Sequence, residues 1–125
     1  MDSELWKSQL RSVLERLADE NYQRQAWFDR HSEISSPDEL ICQLYGDQLF
    51  EAFIESESIG LSPEQKQAAR RFAELMTRFC EATPTKLDAH LVIDDPRWAR
   101  IRGAAKKLLP VLFGGAAGSF PSSVL

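Results

Sequence analysis

The chain has few of the residues that build metal sites or disulfide frameworks. It holds two cysteines and two histidines in 125 residues. Cys42 and Cys80 are far apart in sequence, and neither has a ligand neighbour at C-x-x-C or H-x-x-x-H spacing. His31 and His90 are isolated. No metal and no cofactor is therefore expected. Each cysteine falls in an apolar helical setting, which points to a buried free thiol, with a disulfide as the lesser alternative. No apolar run approaches the ~20 residues that cross a membrane. The opening Met1–Trp6 stretch has neither the basic nor the apolar region of a secretory signal, so the cytoplasm is the expected location. A basic footprint is also missing, since the net charge is −4, and direct nucleic-acid binding is not expected.

Catalytic signatures are equally scarce. The chain has no G-x-S-x-G elbow and no cysteine in a reactive setting. The glycines at 114–118 follow a helix instead of preceding one, so their amides are poorly placed for phosphate. Asp38-Glu39 and Asp94-Asp95 are paired carboxylates, but both stand at helix starts, where capping accounts for them. The expectation is a protein that is not an enzyme.

One absence is local. Residues 31–65 contain no Lys or Arg, yet hold eight carboxylates: Glu33, Asp38, Glu39, Asp47, Glu51, Glu55, Glu57 and Glu64. The block carries −8 and the rest of the chain +4. Such a block attracts a basic partner and speeds encounter, or is simply a solvated face.

What is present reads as helices. The 43% hydrophobic content suits one small globular domain. Leu5, Trp6, Leu10, Val13, Leu14 and Leu17 form one stripe of a helix over 3–18. A second helix is expected over 20–30, with Tyr22, Ala26 and Trp27 inward. Ser36-Pro37-Asp38-Glu39 is a helix start with cap, proline and capping box, and Gly46 is the expected stop. Asp47 can cap a short helix over 48–56. On it, Asp47, Glu51 and Glu55 recur at four-residue steps, where like charges repel by roughly 0.2–0.5 kcal/mol per pair. That tolerated repulsion hints at an external cation. Ser62-Pro63-Glu64-Gln65 repeats the start signal for a long helix over 63–81, the expected central strut. The 82–94 region reads poorly, with a short helix near 85–90. Asp95-Pro96 starts the last helix, and Pro110 should kink it or confine its last turn. The architecture expected is an all-α, single-domain bundle of about five to six helices over 1–113, with a flexible tail over 114–125.

Several stretches then show a resemblance. Leu14-Glu15-Arg16-Leu17-Ala18-Asp19, Tyr22-Gln23-Arg24 with Trp27, Ser36-Pro37-Asp38-Glu39-Leu40 and Asp95-Pro96-Arg97-Trp98 are similar to those of small helical bacterial immunity proteins. These belong to contact-dependent growth inhibition and related polymorphic toxin systems. The resemblance spans roughly 5–112. It implies a non-enzymatic cytoplasmic protein that binds and blocks one cognate toxin domain, often a nuclease. It transfers no binding residue by motif. From the charge pattern, the partner-binding set is Asp38, Glu39, Asp47, Glu51, Glu55 and Glu57, with Tyr45 as aromatic anchor. A helical adaptor or regulatory module with no toxin partner is the alternative, and a small enzyme would need an ordered pocket.

Overall fold

The structure is a computed structural model that describes residues 3–28, 36–83 and 88–113. Among these there are seven α-helices and no strand. They are α1 (Ser3–Ala18), α2 (Glu20–Phe28), α3 (Pro37–Cys42), α4 (Phe50–Glu55), α5 (Pro63–Ala82), α6 (Ala89–Val92) and α7 (Pro96–Phe113). The all-α bundle matches the expectation. His31, Glu33 and the 114–125 tail lie outside the described residues.

The start signals act through local chemistry. Ser62 Oγ accepts from the Gln65 amide at 3.2 Å, and Gln65 Oε1 accepts from the Ser62 amide at 2.8 Å. Both halves of that capping box are made, which satisfies two of the donors a helix start leaves open. Ser36 Oγ accepts from the Glu39 amide at 3.0 Å, but the Glu39 carboxylate turns to the Gln43 side chain. Asp95 accepts from the Arg97 amide at 2.8 Å and also holds the Arg97 guanidinium. Pro110 lies inside the last turns of α7 without ending the helix.

Two helical expectations are corrected. Gly46 does not stop α3, because the chain widens into a π-turn over Gln43–Asp47. The Gln48 amide closes that turn on the Gln43 carbonyl at 2.9 Å. The reason lies in α1. Its Arg16 guanidinium donates to Gln43 Oε1 at 3.0 Å, and its Trp6 indole donates to the Gln48 carbonyl at 2.7 Å. The turn is pinned at both ends. Nor does Asp47 cap α4. The residue before that helix is Leu49, held in the left-handed region at φ 49°, ψ 56°. In the poorly legible region, α6 begins after Asp88, whose carboxylate accepts from the His90 amide. The expected 85–90 helix thus falls partly on residues outside the description and partly one turn too early.

The central strut is α7, not α5. It packs against α1 on one side and α5 on the other. Trp98, Ile101 and Ala105 are fully buried between them. From α1 come Leu10, Val13, Leu14 and Leu17; from α5 come Ala69, Phe72, Met76 and Phe79. Leu5, assigned to the α1 stripe, is half exposed instead.

α2 is set by a residue that periodicity missed. Gln23 is fully buried, whereas Tyr22 is half-buried. Its amide nitrogen donates to the carbonyls of Arg16 and Leu17, each at 2.9 Å, in the last turn of α1. Its Oε1 accepts from the Trp98 indole at 3.0 Å and from Arg102 at 3.4 Å. One side chain therefore closes the end of α1 and fastens α2 to α7. A buried amide is tolerated because its donors and acceptor are used.

Candidate functional site

The carboxylates of the acidic block do not all converge. Those that do meet α5. Glu51 of α4 lines a shallow hollow of about 350 Å³ with Tyr45, Thr77, Cys80 and Glu81. The adjoining hollow holds Glu51, Glu55, Arg70 and Glu74. Asp38 lies close enough to Cys80 for its charge to raise that thiol further, after burial. The face thus runs from the start of α3, across the π-turn and α4, onto one flank of α5. Glu39, Asp47 and Glu57 are exposed and line neither hollow.

Glu74 and Glu81 come from outside the acidic block. Their seven-residue spacing places them on one side of α5, two turns apart. That signal is legible in sequence, but nothing local says that this flank meets α4.

The acidic block, which has no Lys or Arg of its own, is neutralised at Glu55 by a cation from α5. Arg70 reaches from α5 and binds the Glu55 carboxylate, with Nε at 3.1 Å. This contact holds the Glu55 carboxyl below its ordinary range. Arg78 pairs with Glu74 at 3.2 Å. Glu51 and Glu81 have no ion-pair partner among the described residues, so they carry the negative potential of the face.

Tyr45 is not a protruding anchor. Its ring packs edge-on against Phe50, with centroids 6.0 Å apart. Burial pushes its phenol upward, with the charges of Cys80 and Glu51 adding to the effect. The hydroxyl oxygen is buried and has no hydrogen-bond partner among the described residues. The thiols differ as well. Cys80 is half-buried and free, and its position agrees with the apolar setting read from the sequence. Cys42 is exposed, contrary to expectation, because it lies two residues, about 200° around the helix, from the buried Leu40.

Among the described residues no group of His, Cys, Asp and Glu has the geometry to hold a metal ion. No described helix is long and apolar enough to cross a membrane. His90 is exposed, 3.5 Å from Asp88, and its ring lies against Phe28.

No curated protein and no solved structure matches this chain. A family model described as a domain of unknown function (DUF7945) matches residues 1–114, and the chain belongs to that family.

Proposed function

We propose that this protein is a non-enzymatic binding module that takes a basic protein surface on its acidic face. We propose further that the partner is a cognate toxin domain, so that the protein acts in the cytoplasm as an immunity protein. The observation that carries the first statement is that Glu51 and Glu81 line one hollow, neither with an ion-pair partner among the described residues. Two like charges that the fold sets on one hollow, 30 residues apart in sequence, favour a cation supplied from outside. The second statement is supported by the resemblance of the Ser36-Pro37-Asp38-Glu39 and Asp95-Pro96-Arg97-Trp98 stretches to immunity proteins.

The reading has a simple physical mechanism. A nuclease toxin needs a basic cleft to hold phosphates. A carboxylate-lined face competes for that cleft, or covers a basic surface beside it. A standard interface requires about 800 Å² per partner, which the α3–α4 segment together with one flank of α5 can supply. The same face repels phosphates, which argues against direct nucleic-acid or anionic-membrane partners. A helical adaptor for another basic protein uses the same surface, and the identity of the partner separates the two.

The test is a pull-down of the full chain from native cells, read by mass spectrometry, followed by affinity and association-rate measurements. Glu51→Lys/Glu81→Lys is expected to weaken binding by about tenfold or more and to slow association most at low salt. Unchanged rate and affinity would remove the acidic face from the account. A basic partner without toxin activity would leave the adaptor reading.

A further inference from the structure

The other flank of α5 has the opposite character. It faces α7 across a furrow of about 390 Å³. The two helices run antiparallel. Gln65, in the first turn of α5, donates to the Val111 carbonyl near the end of α7 at 2.9 Å. At the other end, the Arg97 guanidinium lies over the Phe79 ring. The furrow floor is apolar, with Phe72, Leu75, Leu108 and Val111. Leu75 is only half-buried, and Val111 is 43% exposed. Arg71 and Arg78 stand on the α5 wall and Lys107 on the α7 wall. Glu74 is the single carboxylate there, and it is paired with Arg78. Arg71 and Lys107 have no ion pair among the described residues. A chain of net charge −4 thus lines one apolar furrow with cations.

We propose that this α5/α7 furrow is a docking groove for an acidic amphipathic helix of another protein. Ala68 to Arg78 is about 15 Å of helix, roughly three turns, with Arg71 and Arg78 two turns apart. A partner helix laid along it places apolar residues at i, i+3 or i+4 and i+7 on the floor. Its flanking carboxylates then meet Arg71 on one wall and Lys107 on the other. A free fatty acid fits less well. Small-ligand sites enclose about 70–90% of their ligand, whereas this furrow is open along its length. Residues 114–125 of the chain have no acidic side chain to meet Arg71 and Lys107.

The surface is distinct from the hollow of Glu51 and Glu81, and it borders the acidic face at Glu74, which lines both the furrow and the Glu51–Glu55 hollow. On α5 the buried residues Ala69, Phe72, Met76 and Phe79 form a seam, with the furrow residues to one side and Thr77, Cys80 and Glu81 to the other.

The test uses the full chain, isotope-labelled for NMR, and two synthetic helical peptides. Both carry leucines at i, i+3 and i+7; one has glutamates on its flanks, the other lysines. The glutamate peptide is expected to bind about tenfold more tightly than the lysine peptide, a difference of about 1.4 kcal/mol. Amide shifts are expected along the furrow walls. Arg71→Glu/Lys107→Glu, with helicity checked by circular dichroism, should remove that preference. Glu51→Lys/Glu81→Lys should leave it intact, which separates this groove from the acidic face. The proposal is overturned if the two peptides bind alike, or if the shifts fall on the acidic face. It is also overturned if the furrow variant binds as wild type, or if no saturation appears by about 1 mM. Furrow-dependent self-association, or furrow-dependent binding to phosphatidylglycerol vesicles with the glutamate peptide inert, would assign the groove to a different occupant and refute it too.

Discussion

Gln23→Met is the sharpest test of what holds the bundle together. Methionine keeps the length of the side chain and removes its hydrogen bonding. In the native protein the amide joins three helices and is fully buried. After the substitution the Trp98 indole N–H has no acceptor, and the Leu17 carbonyl loses its donor. The Arg16 carbonyl still accepts from the Asp19 amide at 3.3 Å. Arg102 still pairs with Glu20 at 3.4 Å. Two buried groups are therefore orphaned, at about 1–3 kcal/mol each. Burial of the thioether returns part of this, so the net loss is about 2–4 kcal/mol. For a chain of this length that corresponds to a fall in Tm of about 10 °C. Urea denaturation followed by circular dichroism measures it, with the slope unchanged if two-state unfolding persists. Trp98→Phe supplies the control. In the wild type it loses both ring volume and the bond; beside methionine it loses only volume. The double mutant should fall short of the sum by about 1 kcal/mol. Additivity within about 0.3–0.5 kcal/mol would refute the argument that Gln23 and Trp98 act as a pair.

Leu49→Gly should be neutral or stabilise by up to about 1 kcal/mol, because a left-handed leucine costs roughly 1–2 kcal/mol and this one is half exposed. Leu49→Ala keeps the strain and should destabilise; calorimetry that ranks the two the other way would exclude strain at this turn. The Asp95 carboxyl is held below its ordinary value chiefly by the Arg97 guanidinium. Its stabilisation is therefore complete above the usual aspartate range and is lost as pH falls through the lower folded value. Denaturation midpoints across the acid limb should show a shallower slope in Arg97→Ala, and an unchanged slope would remove the contact from the acid stability. In native protein one thiol should react quickly with a disulfide reagent and one slowly, since Cys42 is exposed and burial raises the Cys80 thiol. Cys42→Ser should abolish the fast phase, and a surviving fast phase would contradict the assigned exposure.

The sequence alone determined the pieces whose chemistry is local. Ser62-Pro63 with Gln65 and Asp95-Pro96 place the starts of α5 and α7, because a cap, a fixed φ and a first-turn side chain act within four residues. The apolar stripes of α1, α5 and α7 follow from helical periodicity in the same way. Tertiary structure decided everything that depends on which stripe meets which. It buried Gln23, because only the fold brings the α1 carbonyls and the Trp98 indole to one amide. It widened α3 into a π-turn, because Trp6 and Arg16 hold both ends from α1. It also sorted the charges, setting Arg70 on Glu55 and placing Glu81 on the same hollow as Glu51. Residues distant along the chain acquire a shared electrostatic face only when packing makes them neighbours, and no local pattern encodes that distance.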